Sequence, residues 1–148
     1  MSKVNLFLDS SVLFAGIASP TGAARVLLIL GEAGRIRLAI SEQVIAETER
    51  AIARKLPKSL SDVREAIRTS VTQVIPDPSP AEVKAHLDWL AHPPDVPVLL
   101  ATMKAKADYL VTFNRKHFID DPKVAERSDL RIGTPEEALK WVREQWKR

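Results

Sequence analysis

Asp9 closes Val4 to Leu8, a short apolar run of strand-forming residues that ends abruptly at Asp9-Ser10-Ser11. A carboxylate at the end of a buried strand is costly unless it is paired, hydrogen-bonded or bound to a cation. Asp95 opens the helical segment Asp95-Val96-Pro97, where capping and ligand binding are compatible roles, since the two carboxylate oxygens can act separately. Glu47 and Glu49 lie on the two edges of the apolar stripe of one helix, so either can turn inward. Asn114 follows a strand, whereas Asp108, just before that strand, reads as a turn or strand-start residue. Carboxylates brought together in this way hold Mg²⁺, which activates a water and offsets charge on a reacting phosphate. Hydrolysis of a phosphodiester is the chemistry such a set could perform.

The elements that must position these residues alternate in type. Val4–Leu8 predicts a buried parallel strand, followed by a helix from Thr21 to Ala33 that ends at Gly34. Ile36–Ile40 predicts a second strand, and Ser41 caps a helix to about Arg54 with Val44, Ile45, Thr48, Ala51 and Ile52 on its apolar stripe. Next come a helix from Ser61 to Ser70, a strand Val71–Ile75, and a helix started by the Ser79/Glu82 capping box that carries Val83, Leu87 and Leu90. A helix from Asp95 to about Lys106, a strand Tyr109–Thr112, a short strand Leu130–Ile132 and a terminal helix capped by Thr134 complete the chain. The alternation predicts an α/β fold, three layers deep, around a mostly parallel sheet of four to five strands. In such a sheet ligands sit outside the carboxyl ends of the strands, where Asp9 and Asn114 both fall.

Composition narrows the classes. The chain has 148 residues, 45% hydrophobic and 28% charged, as expected for one globular domain spanning residues 1–148. It has no cysteine, so disulfides, thiolate zinc sites and cysteine nucleophiles are excluded. With His86, His92 and His117 as the only histidines, zinc is short of its usual ligands, and a hard cation held by oxygens is the expectation. The apolar stretches are far shorter than the roughly 20 residues of a membrane helix, so a soluble, cytoplasmic protein without a membrane partner is expected. A net charge of +3 suits a polyanion, with Arg50, Arg54, Lys55 and Lys58 clustered near one candidate acid and Arg115 and Lys116 following Asn114. A solvated face is the plainer account of such clusters.

Four segments together resemble the PIN domain over almost the whole chain, in the branch that includes VapC-like toxins of toxin–antitoxin systems. They are Leu6-Phe7-Leu8-Asp9-Ser10-Ser11, the helix start from Ser41 to Glu47, Asp95-Val96-Pro97-Val98-Leu99, and Ala107-Asp108-Tyr109-Leu110-Val111-Thr112-Phe113-Asn114. The resemblance selects Glu47 over Glu49, because the helix acid of the family falls six residues after a serine like Ser41. It implies metal binding by Asp9, Glu47 and Asp95, and a catalytic role in positioning metal-bound water or substrate for Asn114. Ser11 and Thr112 are implied to contact the substrate or the groups behind the metal. It further implies one or two Mg²⁺ or Mn²⁺ ions, an RNA substrate, a small antitoxin partner and a homodimer.

The chain departs from the commonest family pattern by carrying Ser11 in place of asparagine and Asn114 in place of aspartate. The neutral amide removes one negative charge, so one tightly held ion is expected, with any second ion arriving with the substrate phosphate. The main expectation is a metal-dependent endoribonuclease. The alternative is a catalytically weak PIN scaffold that binds RNA or protein. A phosphotransfer domain with Asp9 as nucleophile would resemble the dehalogenase-like arrangement, which needs a second aspartate where Ser11 stands.

Overall fold

A computed structural model of the chain describes residues 3–90, 92–120, 124 and 128–147, without the side chains of Arg115 and Ile119. Five strands, β1 Asn5–Leu8, β2 Arg37–Ser41, β3 Gln73–Ile75, β4 Tyr109–Val111 and β5 Arg131–Gly133, form one sheet in the order β3-β2-β1-β4-β5. Every neighbouring pair is parallel. β1 is central, with Leu6 opposite Leu38 on one side and Tyr109 on the other. Leu6, Phe7 and Leu8 are all fully buried, which requires helices on both faces, because successive side chains of a strand point in opposite directions.

The helices are α1 Ser10–Ala18, α2 Ala23–Glu32, α3 Glu42–Lys55, α4 Leu60–Ser70, α5 Pro80–Ala85, α6 Val96–Lys104 and α7 Pro135–Trp146. α1 packs on α2 and α3, and α2 packs on α4 and α7, whereas α6 packs against β2 and α5. The chain leaves β1 towards β2 but enters β4 on the other side of β1, so the strand order reverses between β1 and β4. That reversal opens a crevice at the carboxyl ends of these two strands.

Three elements differ from the sequence expectation. α1 begins directly after Asp9, where only a polar cluster is legible in the sequence. Its residues Val12, Leu13, Gly16 and Ile17 are buried and nearly all its positions are apolar, so no amphipathic period marks it as a helix. Gly16 is where α1 meets α2: a Cβ there would stand 2.6 Å from Leu28 Cδ1. The helix expected to carry Val83 through Leu90 stops at Ala85, and Leu87–Trp89 forms a single 3₁₀ turn. Leu87 is exposed, whereas Leu90 is buried in the core and Val83 is partly buried against it, so the apolar spacing there serves two separate turns. Finally, Arg115–Ile119 forms a short π-helix after Asn114.

Among the described residues no single helix is long and apolar enough to cross a membrane.

Candidate active site

The site begins with the junction of β1 and α1. Asp9 sits between them as the N-cap of α1, its Oδ1 accepting from the Val12 amide at 3.3 Å. Its own amide donates to Val111 O at 3.1 Å, which seats it at the end of β4 as well. Ser11 Oγ donates to Asp9 Oδ1 at 2.5 Å and Thr112 Oγ1 donates to Asp9 Oδ2. A hydroxyl has one proton to give. Ser11 and Thr112 therefore spend their protons on Asp9, and their oxygens in turn accept from the amides of Phe113 at 3.3 Å and Asn114 at 2.9 Å.

Asp9 is 7% exposed. Burial pushes its carboxyl above the ordinary aspartate value, and the hydrogen bonds from Ser11, Thr112 and the local amides pull it back down. The two hydroxyls hold the carboxylate in one orientation and offset part of the cost of its charge.

Glu47 reaches the same place from α3. Ser41 ends β2 and caps α3, accepting from the Val44 amide at 3.2 Å, so the helix starts at the carboxyl edge of the sheet and Glu47 lies in its second turn. Glu47 is half-buried and lines a cleft of about 340 Å³ with Asp9, Ser10, Ser11, Gln43, Asp95 and Asn114, a set that does not include Glu49. Burial raises the Glu47 carboxyl, and the charges of Asp9 and Asp95 raise it further, against the pull of Gln43 and Arg50. Three carboxylates that repel one another across a small cleft are a donor set suited to a hard divalent cation.

Asp95 takes the N-cap position of α6, yet its side chain makes no capping hydrogen bond. The structural role the sequence offered for it is thus absent. Asp95 Oδ2 stands 2.5 Å from His117 Nδ1, but the contact lacks hydrogen-bond geometry. Among the described residues it is the one buried side-chain polar atom without a hydrogen-bond partner. Asn114 joins the same corner, its Nδ2 lying 2.9 Å from His117 Nδ1 and its Oδ1 accepting from the His117 amide at 3.4 Å. The residues expected at the site, Asp9, Glu47, Asp95, Asn114, Ser11 and Thr112, converge on this one crevice. Asp108 lies at the opposite end of the strands, accepting from the Asn5 amide at 2.8 Å.

Residues beyond the sequence reading also gather here. Phe113 is 49% exposed at the rim of the acidic cleft. It also lines a neighbouring hollow of about 410 Å³ bounded by Thr21, Thr134 and Pro135. His92 and His117 stack with ring centroids 4.0 Å apart and planes inclined by 17°. The spacings His92-x-x-Asp95 and Asn114-x-x-His117 are visible in the sequence, but nothing in either shows that the two segments meet.

Residues 5–116 match the family model described as PIN domain. The fold is similar to that of PAE2754 from Pyrobaculum aerophilum, at 19% identity and a TM-score of 0.61, covering 95% of this chain and 96% of that one. VapBC2 from Rickettsia felis, solved bound to a DNA fragment from its promoter, is similar at 17% identity and a TM-score of 0.61, with coverage of 87% and 97%. VapC20 from Mycobacterium tuberculosis, a Sarcin-Ricin loop cleaving toxin, is similar at 15% identity and a TM-score of 0.56, with coverage of 75% and 91%. No curated protein sequence matches the chain.

Proposed function

The chain belongs to the PIN-domain family, and on that premise we propose that it is a divalent-metal-dependent endoribonuclease, the toxin of a toxin–antitoxin pair. The observation that carries the reading is the convergence of Asp9, Glu47 and Asp95 on one cleft at the strand-order reversal. Asp9, Glu47 and Asp95 would hold the ion. Bound Mg²⁺ or Mn²⁺ would supply an activated water and charge compensation for the scissile phosphate.

The chain's own residues supply orientation. Ser11 and Thr112 fix Asp9 from both sides. Asn114, held against His117, offers a neutral amide where charge is not needed to retain a metal. The nucleic acid has an electrostatic track beside the acids: Arg50, Arg54, Lys55 and Lys58 are exposed along α3 and the turn after it. Seven residues separate Glu47 from Arg54, about 10 Å along a helix, which suits phosphates flanking the cut. Phe113 provides an exposed ring on which an unpaired base can stack, and this favours a single-stranded or looped RNA.

An antitoxin partner, a homodimer and a cytoplasmic location complete the proposal and rest on the family alone. Cleavage of RNA by the purified chain with Mg²⁺, Mn²⁺ or EDTA, compared with Glu47→Gln, tests it. Cleavage that EDTA abolishes and Glu47→Gln lacks is expected. RNA binding without cleavage under every metal would support the scaffold reading instead.

A further inference from the structure

A second cluster of ligand atoms lies against the acidic cleft. One ligand atom from each of His92, Asp95 and His117 falls within 4.8 Å of the others. Neither histidine lines the acidic cleft, so Asp95 stands between two groups: carboxylates on one side and imidazoles on the other. We propose that His92, Asp95 and His117 form a separate site for a borderline transition-metal dication of the Zn²⁺ or Co²⁺ type, using Asp95 as a shared wall with the acidic cleft.

Three features carry the assignment. Asp95 Oδ2, the buried oxygen without a hydrogen bond, faces His117 Nδ1 at 2.5 Å. The same nitrogen lies 2.9 Å from the Asn114 amide nitrogen. The ring nitrogen has one in-plane position, which holds either a proton or a single lone pair. A cation seated there takes the lone pair that the Asn114 amide otherwise faces and gives the buried carboxylate oxygen a partner. Tetrahedral ligands about 2.1 Å from one ion stand about 3.4 Å apart, so binding opens the pair by about 1 Å.

Stacking of the His92 and His117 rings brings the second imidazole to the same spot. His92 is exposed, which leaves the ion a route from solvent. His117 lies in the π-helix Arg115–Ile119, a distortion that recurs where a helix must aim side chains at a functional group. Two imidazoles and a carboxylate give three ligands, leaving the fourth position of tetrahedral zinc for water or a phosphate oxygen. Nitrogen ligands select against Mg²⁺ and for borderline metals. The zinc shortage expected from three histidines is thus met by pairing two of them with an aspartate.

The inference does not rest on the nuclease reading, and its test reads binding directly. The whole chain, stripped with EDTA and dialysed, is titrated with Co²⁺ in excess Mg²⁺, and visible absorption reports the coordination. Retention of Co²⁺ against Mg²⁺ is expected. Loss of even an outer-shell partner weakens metal binding about 10–100-fold, so His92→Ala and His117→Ala are each expected to weaken Co²⁺ binding at least that much. His92 is exposed, so its variant keeps the fold, which circular dichroism checks. Asp9→Asn is expected to retain Co²⁺. Unchanged Co²⁺ affinity in His92→Ala, displacement of Co²⁺ by Mg²⁺, or loss of Co²⁺ in Asp9→Asn alone overturns the proposal and leaves the nuclease reading standing.

Discussion

Thr112 gives its only hydroxyl proton to Asp9 across the seam between β4 and β1, while its oxygen accepts from the Asn114 amide at 2.9 Å. One side chain thereby links the acid that closes the first strand to the amide that follows the fourth.

Thr112→Val should break this link. It removes the donor to a buried carboxylate at nearly constant volume, so a loss of about 1–3 kcal/mol in stability is expected, with weaker metal binding as Asp9 loses a group that favours its charge. Thr112→Ser should restore most of both. Urea melts and metal titrations of the two variants check this, and a Thr112→Val chain as stable as wild type would refute the role.

Asp9→Asn should abolish cleavage and raise the stability of the metal-free chain at neutral pH by about 1 kcal/mol. Burial holds the Asp9 carboxyl above its ordinary value of 3.8 and the Glu47 carboxyl above 4.5, so the folded chain binds these protons more tightly than the unfolded one. Their contribution to stability is complete below the ordinary values and is lost as pH rises through the raised ones. Thermal melts of metal-free protein should therefore show Asp9→Asn gaining most on wild type above that window and least below it. A constant difference at all pH values would count against the assignment.

Metal should reverse that penalty. An ion bound only by the folded chain adds about 2.7 kcal/mol at a concentration 100 times its Kd. Mg²⁺ or Mn²⁺ should thus raise the Tm of wild type but hardly that of Glu47→Gln, whereas Glu49→Gln should respond as wild type does. Since protons compete for the raised carboxyls of Asp9 and Glu47, the metal requirement should grow as pH falls.

Phe113→Ala should weaken RNA binding by about 1–3 kcal/mol, the usual worth of one base–aromatic stack. Because Phe113 is 49% exposed, its removal should leave the melting curve nearly unchanged. A rise in KM with kcat preserved, and rescue by Phe113→Tyr, are the expected kinetic results; an unchanged KM would remove Phe113 from the RNA path.

Much of this architecture is legible in the residues, because local chemistry agrees with the fold where caps and strands are concerned. Ser41 caps α3, Ser79 and Thr134 form capping boxes, and β1, β2 and β4 are visible as mainly apolar runs. α1 is not legible, since a helix whose positions are nearly all apolar has no polar face to give it a period. Within the site, Asp9 can be argued from its strand alone. Glu47 cannot be separated from Glu49 by spacing, because the distinction depends on where α3 lies against β1. The meeting of His92 with His117 depends on tertiary geometry and leaves no trace in the sequence beyond the residues themselves.

The central position of β1 also fixes when the centre can exist during synthesis. Asp9 and Thr112 are separated by 103 positions, so a ribosome adding about 5–20 residues per second takes roughly 5–20 s to produce the second after the first. Until then the nascent chain has its leading acid, β2 and Ser11, but neither β4 nor the Thr112 hydroxyl that holds the second carboxylate oxygen. A ribosome making this chain therefore works beside an incomplete centre through most of elongation.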